Sequence, residues 1–545
     1  MPAAAIDATA GLTRLDALVT RAAAAHGDRT AFVSGPDRMT WAEVETAVAT
    51  EAAALSAAGL RPGDRVALVL PNTLDFPVRL FAVLRCDLVA VPVNTGYTPR
   101  ELRHVLSDSG AAALITGADG AALVAEIAAD LPDLRLVRRV DRPAEDHRAA
   151  GGLPAHLVPT SDPGGDAEDL ALVVYTSGTS GAPRGAMLSH RAVLANLEQI
   201  AALEPTPITA TDVVLLVLPL FHIYGFTVGL GMAARAGAAA VLLDRFEPSG
   251  CLEVMAAEAV STVIGAPPMY LAWSVTEPSL LARGFAGVRT ALSGAAPLPP
   301  SAREAIRAAT GVLVHEGYGL TETAPVLTST LAGDSVKPGS VGRALPGIEI
   351  RLRDAAGIDG DGEDIDADET ASDTEDATGD EATGEIWARG KNLFSGYWPD
   401  GRDGPDAEGW LRTGDIGFLD TDGDLHLVDR VSDLILVSGF NVYPAEVETV
   451  LMSHPGVRDC AVVGVPDALT GEAVRALVVL DRDPDAGEDA DDAPGEAVGT
   501  AELTAHCRRN LARFKCPSSV SVVATLPHSV TGKVSRARLR ELGLA

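Results

Sequence analysis

Tyr175-Thr-Ser-Gly-Thr-Ser-Gly-Ala-Pro-Arg-Gly-Ala-Met-Leu-Ser-His190 is the stretch on which the reading of this chain turns. Before it stands Leu170-Ala-Leu-Val-Val174, an apolar run of strand length. The hydroxyls of Thr176, Ser177, Thr179 and Ser180 then alternate with Gly178 and Gly181, and Arg184-Gly185 follows. A loop without bulky side chains lets backbone N–H groups and hydroxyls close around a polyphosphate. Ser189 suits the N-cap of a helix carrying Val193, Leu194 and Leu197, whose positive end is expected to face the same anion. Strand, hydroxyl-rich loop and helix together point to a phosphorylated ligand. The stretch is not a Walker loop and contains no G-x-G-x-x-G fingerprint. On the loop alone, a flexible Gly/Ser/Thr linker is the competing reading.

At 545 residues, 47% of them hydrophobic, the chain has material for two or more domains. Its net charge of −32 is unevenly placed. Asp354 to Glu381 holds 13 acids and no Lys or Arg, and Asp481 to Gly499 holds 8 acids and one Arg, leaving −12 on the rest. Both segments, about 354–383 and 481–499, read as solvated low-complexity inserts. The first lies between Ile348-x-Ile350-x-Leu352 and Ile386-x-Ala388, which suggests a hairpin with an extended tip. The spacing of an EF-hand loop is absent. Acidity disfavours nucleic acid as a partner. No apolar run reaches the roughly 18 residues of a membrane span, and no signal peptide is visible, so the cytoplasm is the expected location. Peripheral contact with a membrane stays open. Cys86, Cys251, Cys460, Cys507 and Cys516 are scattered, which disfavours a disulfide framework or zinc site. Only Lys337, Lys391, Lys515 and Lys533 are lysines, so each marks a place where a compact ammonium is kept in an arginine-rich chain.

Other stretches carry chemistry. Val213 to Phe221 reads as a buried strand, and Pro219-Leu-Phe-His222-Ile-Tyr224-Gly225 puts a histidine at its end. That histidine either lines a pocket or satisfies a core hydrogen bond. Val263-Ile-Gly265-Ala-Pro-Pro-Met-Tyr270 is an apolar pocket segment. Ser293-Gly294-Ala295-Ala296-Pro-Leu298 is a small-residue turn that admits a flat ring close to backbone. Glu316-Gly317-Tyr318-Gly319-Leu-Thr321-Glu322 sets an aromatic, a hydroxyl and a carboxylate in glycine-flanked backbone, and on its own it also reads as a tight turn with an exposed acid. Asp415, in Trp410-Leu-Arg-Thr-Gly-Asp415, and Arg430 are a carboxylate and a guanidinium of kinds common on surfaces, whose meaning depends on the motif around them. Pro444 fits the first turn of a helix, with Glu446 and Glu448 near its positive end and Val447, Val450 and Leu451 as its buried stripe. In Pro527-His-Ser-Val-Thr-Gly-Lys533, Gly532 leaves a long ammonium free to swing; the alternative is a solvated basic terminus, Arg536 to Arg540.

In this order, across roughly residues 30–545, these stretches resemble the adenylate-forming superfamily of acyl-CoA synthetases, aryl-CoA ligases, adenylation domains and luciferases. The resemblance implies an α/β fold, with a large N-terminal domain (1–430) of two α/β sheets plus a distorted β-barrel. A small mobile α+β domain (431–545) follows. It implies ATP, Mg²⁺ and CoA. Thr176, Ser177, Gly178, Thr179, Ser180, Gly181 and Arg184 would hold phosphate. Gly294, Ala295, Ala296, Glu316, Gly317, Tyr318, Gly319 and Thr321 would line the nucleotide, Glu322 and Thr176 the metal, and Asp415 and Arg430 the ribose. His222, Tyr224, Gly265 and Gly294 would form the acyl site. Ser438, Gly439 and Lys515, with Arg475, would serve CoA. Lys533, aided by Thr321 and His222, would be catalytic. Ser432 stands at the family's hinge, where Asp or Lys is usual. Residues 429–444 are most similar to bacterial fatty-acyl-CoA ligases, which implies a medium- or long-chain fatty acid as substrate. An aryl acid is the alternative, although Leu436 and Ser438 replace the lysines of coumarate-type ligases.

Overall fold

A computed structural model describes residues 11–140, 166–176, 183–333, 335–353, 383–430, 433, 435–437, 440–467, 470–481, 499–511, 513–528, 534, 538, 539 and 542. The chain divides into two compact units, Met1–Ile350 with Ala388–Leu411, and Arg351–Trp387 with Arg412–Ala545.

In the first unit, runs such as Val66-Ala-Leu-Val69 and Ala113-Leu-Ile-Thr116 are buried at every position. Strands that are apolar on both faces belong inside parallel sheets covered by helices. One sheet accordingly runs Leu136–Arg139, Ala113–Thr116, Arg65–Val69, Val89–Pro92, Leu170–Thr176, Arg184–Ser189. Its neighbours are parallel except for the last pair, which is antiparallel. A second sheet carries six parallel strands in the order Val314–Gly319, Thr290–Ser293, Thr262–Gly265, Val213–Leu216, Ala239–Leu242, Thr30–Ser34. Antiparallel strands Val326–Ser329 and Ser340–Ala344 extend it edge to edge beyond Val314–Gly319.

Two sequence expectations are corrected here. The hydroxyl-rich loop does not lead straight into a helix. It is the tip of a hairpin in which Thr176 pairs with Arg184 and Leu170 with Ser189. Ser189 does cap helix His190–Ala201, its side chain accepting from the N–H of Ala192 at 3.2 Å. That helix therefore starts at the far end of strand Arg184–Ser189, about 20 Å of strand from Arg184. The apolar residues Met187 and Leu188 look continuous with a helix in sequence, but they pair with Val173 and Leu172 as a sixth strand. The expected strand Val213 to Phe221 is also shorter. It ends at Leu216, and Pro219 turns the chain into a π-helix at Gly225–Gly231.

The second unit is α+β. Its sheet order is Phe440–Val442, Ile435–Val437, Gly471–Leu480, Val457–Asp467, with Ser519–Val522 parallel to Gly471–Leu480. The alternation of Val457–Asp467 splits its side chains between two cores. Cys460 and Val462 pack with Val447, Leu451, Leu503 and Cys507 of helices Pro444–Met452 and Thr500–Asn510. Ala461 and Val463 pack with Leu477, Leu526 and Leu539. Strands Ile348–Arg353 and Gly384–Gly390 are neighbours, as expected; the acidic segment between them and the one at 482–498 lie outside the described residues. No described helix is long and apolar enough to cross a membrane.

Candidate active site

Ligands of open parallel sheets sit beyond the carboxyl ends of the strands. In the second sheet four such ends are in register: Leu216 pairs with Ile264, Gly265 with Ser293, and Ser293 with Glu316. That register brings His222, Tyr224, Gly265, the 293–298 turn and the 316–322 segment to one edge. Two glycines there meet aromatic rings. A Cβ on Gly294 would stand 2.9 Å from Tyr224, and one on Gly265 would stand 2.8 Å from Tyr270. The Tyr270 hydroxyl donates to the carbonyl of Leu292 at 2.8 Å. Burial pushes both phenols above the usual tyrosine range. His222 is half-exposed at its surface but deep in protein mass, and desolvation holds its imidazole down to about 4. Its Nδ1 accepts the backbone N–H of Tyr224 at 3.2 Å. A neutral imidazole and two neutral phenols leave this edge uncharged. The sequence reading missed Asn72, a buried residue from the first sheet. Its side chain donates to the carbonyl of Leu218 at 2.8 Å and accepts from the N–H of Leu220 at 3.0 Å, fixing the segment that leads to His222.

A second cluster of side chains is built on the hairpin strands. Tyr175 donates to Asp108 Oδ2 at 2.6 Å, and the Pro183 carbonyl meets His104 Nε2 at 2.8 Å. Helix Pro99–Asp108 thus grips both ends of the loop. Arg184 pairs with Asp403 at 2.5 Å and lies 3.8 Å over the ring of Tyr397. The Tyr397 hydroxyl donates to Glu322 Oε1. Phe394 N–H donates to the Glu322 carbonyl at 2.9 Å. Segment 394–398 was not singled out from sequence. The signal was present, since Tyr397-Trp398 joins two aromatics in a chain that is 4% aromatic.

Glu316 is buried, and its carboxylate is occupied: Arg303 pairs with it and Leu298 N–H donates to Oε2 at 2.8 Å. Tyr318 is nearly buried, in a strand where Gly317 and Gly319 pair with Ser329 and Val326. Thr321 and Glu322 are half-buried in a 3-10 turn, Thr321–Thr323. Ala295 (φ 72°) and Ala324 (φ 63°) hold left-handed backbone beside these turns, a conformation uncommon for residues with a Cβ. In the second unit Asp415 stands opposite Arg430 in the Trp410–Leu419/Leu425–Arg430 hairpin. Lys515 pairs with Glu446 at 2.8 Å, so that ammonium already has an anion. Arg475, in strand Gly471–Leu480, has a buried Nε without a hydrogen-bond partner. Ser177, Gly178, Thr179, Ser180, Gly181, Ser432, Ser438, Gly439 and Lys533 lie outside the described residues. Asp420, Asp422 and Asp424 cluster closely, but the Asp420 carboxylate accepts the N–H groups of Asp422 and Asp424 and meets His426, which makes it the frame of a hairpin turn.

Parallel sheets with a shared edge of strand ends are the setting in which open α/β folds place their ligands, and the comparisons with known proteins give the class. Residues 19–398 match the AMP-binding enzyme family and residues 446–533 match the AMP-binding enzyme C-terminal domain. The chain belongs to the AMP-binding enzyme family and is, by class, an adenylate-forming acyl-CoA ligase. It is 34% identical over 558 residues to a long-chain-fatty-acid–CoA ligase of Salmonella typhimurium, covering 96% of this chain and 93% of the relative. It is 36% identical over 522 residues to a feruloyl-CoA synthase of Amycolatopsis, covering 94% and 95%. Its fold matches the crystal structure of ATP-bound MatB from Rhodopseudomonas palustris with a TM-score of 0.83 at 30% identity, over 97% of this chain and 99% of that one.

Proposed function

We propose that the chain joins a medium- or long-chain fatty acid to AMP, releasing pyrophosphate, and then passes the acyl group to CoA. The observation that carries this reading is one edge of strand ends at which uncharged, close-packed residues (Tyr224, Gly265, Tyr270, Gly294) adjoin the Glu316–Glu322 segment.

A carboxylate is a poor electrophile until its oxygen is joined to phosphorus. Its attack on the α-phosphorus, in line with departing pyrophosphate, brings anions together, so fixed cations and donors carry the catalysis. The 176–181 loop and Arg184 hold the β- and γ-phosphates. Tyr318 and the 294–296 turn receive adenine, with Asp415 and Arg430 on the ribose. Glu316 serves indirectly, by fixing that turn through Leu298. Glu322 fits a hard cation: Tyr397 occupies one carboxylate oxygen and leaves the other for Mg²⁺, with Thr176 on the facing hairpin. The bound cation supplies positive charge against the phosphates. Neutral His222 admits the acid without trapping it as an ion pair. Lys533 bridges the reacting carboxylate and the α-phosphate. Once the adenylate exists, the small domain turns, Lys533 leaves, and the CoA thiol, entering past Gly439, attacks the acyl carbon and releases AMP. Lys515 and Arg475 serve the CoA phosphates, Lys515 by exchanging Glu446 for them.

An aryl acid is the second reading, supported by the two tyrosines packed at that edge and by the feruloyl-CoA synthase relative. CoA-dependent AMP release, measured across fatty, benzoic and cinnamic acids, decides between them. The fatty-acid reading expects kcat/KM at least about tenfold higher for fatty acids, a difference of roughly 1.4 kcal/mol in transition-state binding. Turnover of aryl acids alone would overturn it.

A further inference from the structure

Tyr397 lies between two groups that the proposed reaction needs at once, and nothing so far assigns it a part in the chemistry. Its ring and its hydroxyl face different partners. The Arg184 guanidinium lies 3.8 Å over the ring centre, held there by Asp403 at 2.5 Å. The hydroxyl donates to Glu322 Oε1.

The backbone around Tyr397 fixes both contacts. Residues 395–398 run along strand Arg184–Ser189: Ser395 N–H donates to the Met187 carbonyl at 2.9 Å, Met187 N–H to Gly396 at 3.0 Å, and Trp398 N–H to Gly185 at 2.8 Å. Phe394 N–H donates to the carbonyl of Glu322 at 2.9 Å. Tyr397 N–H donates to the Arg402 carbonyl at 2.9 Å, and Trp398 Nε1 donates to the carbonyl of Asp108 at 2.9 Å. The segment is therefore a strap. It ties the arm of the phosphate hairpin to the turn that carries Glu322.

We propose that Tyr397 is a positioning residue for the adenylation step, which aims the free oxygen of Glu322 at the magnesium of MgATP while its ring holds Arg184 against the phosphates. This rests on the reading of Glu322 as the magnesium ligand. The chemistry follows from the donor. A phenol keeps its proton at neutral pH, so the hydroxyl is an O–H donor to the carboxylate. A donor on one oxygen restricts rotation of the carboxylate and leaves the lone pairs of the other for a cation. Hydrogen bonds to ligating carboxylates orient them, and their loss typically weakens metal affinity about 10- to 100-fold.

The test separates the hydroxyl from the ring. ATP binding is measured by calorimetry with and without Mg²⁺ in the wild-type chain, Tyr397→Phe and Tyr397→Leu, with thermal unfolding run alongside. Tyr397→Phe keeps the ring under Arg184, so metal-free ATP should bind as in wild type while the Mg²⁺ concentration for half-maximal enhancement rises about tenfold. Tyr397→Leu should lose metal-free ATP affinity as well. A Tyr397→Phe variant with wild-type Mg²⁺ dependence, or with equal losses with and without metal, would overturn the role of Tyr397 alone. Wild-type ATP binding indifferent to Mg²⁺ would overturn the assignment of Glu322, and this proposal with it.

Discussion

At His190 the chain keeps an imidazole neutral in its interior. The ring is almost fully buried, its Nδ1 accepts the N–H of Leu15 at 3.1 Å, and desolvation, reinforced by Arg14, lowers it to about 3. An unfolded histidine takes its proton near pH 6.5. Between those values the unfolded chain holds the extra proton, so stability is intact above about 6.5 and falls as the pH drops toward 3. The slope from this one group is about 1.4 kcal/mol per pH unit. His222, held to about 4, adds to it in the same direction. His190→Asn keeps an acceptor near the Nδ1 position and removes the titration. Denaturant unfolding at pH 7.5, 6 and 5 should show a shallower acid decline for the variant, by about one proton; an unchanged slope would show that His190 does not couple folding to pH. His190 closes the stretch that made the nucleotide site legible, yet its own work was invisible because Leu15 is 175 residues away. Tyr397 escaped for the same reason: its hydroxyl is spent on a residue 75 positions earlier.

Elements were legible where one period ran uninterrupted. The capped helix after Ser189 and the helix from Pro444 fall where their cap and proline put them. The strand Arg184–Ser189 was not, because six residues ending in a good N-cap look like the approach to a helix. The turn at 293–298 was legible as small and close-packed, but what holds it was not. Glu316 spans the gap, taking the N–H of Leu298 and pairing with Arg303 of helix Pro300–Thr310. Both side chains are mostly buried. Removing one partner of a buried pair leaves an uncompensated charge and costs about 3–5 kcal/mol. Glu316→Gln should therefore lower unfolding stability by about 3 kcal/mol, and Arg303→Met by a similar amount. The double variant should lose much less than the sum, because neither charge is then stranded. Additive losses would mean that the two residues act separately. Through the turn, Glu316→Gln should also raise KM for ATP, an effect that a role confined to stability does not predict.

For the whole molecule, the gross features were legible and their coupling was not. Two units, with two sheets in the first and an α+β second, follow from the apolar runs, whereas the division itself falls at Leu411/Arg412 and not at Arg430, so that Asp415 and Arg430 belong to the second unit. The net charge of −32 says little about either unit, because 13 of the acids fall in 354–381 and 8 in 481–499. The lysine of the proposed chemistry belongs to a stretch more than 340 residues after the phosphate loop, and no periodicity links the two. That separation makes the proposed two-step scheme testable. If Lys533 bridges the carboxylate and the α-phosphate, it is needed only while the phosphorus is being attacked; thioester formation involves no attack on phosphorus and asks for the thiol instead. Lys533→Ala should then slow acyl-adenylate formation, measured as pyrophosphate release from acid and ATP, by at least about a hundredfold, the cost of losing one preorganised donor at a developing charge. The same variant, supplied with synthetic acyl-adenylate and CoA, should form thioester at close to the wild-type rate. Equal loss of both half-reactions would remove Lys533 from the adenylation step and leave it a structural residue of the second unit. A selective loss ties the first half-reaction to the second unit, even though the residues proposed to hold ATP lie mainly in the first.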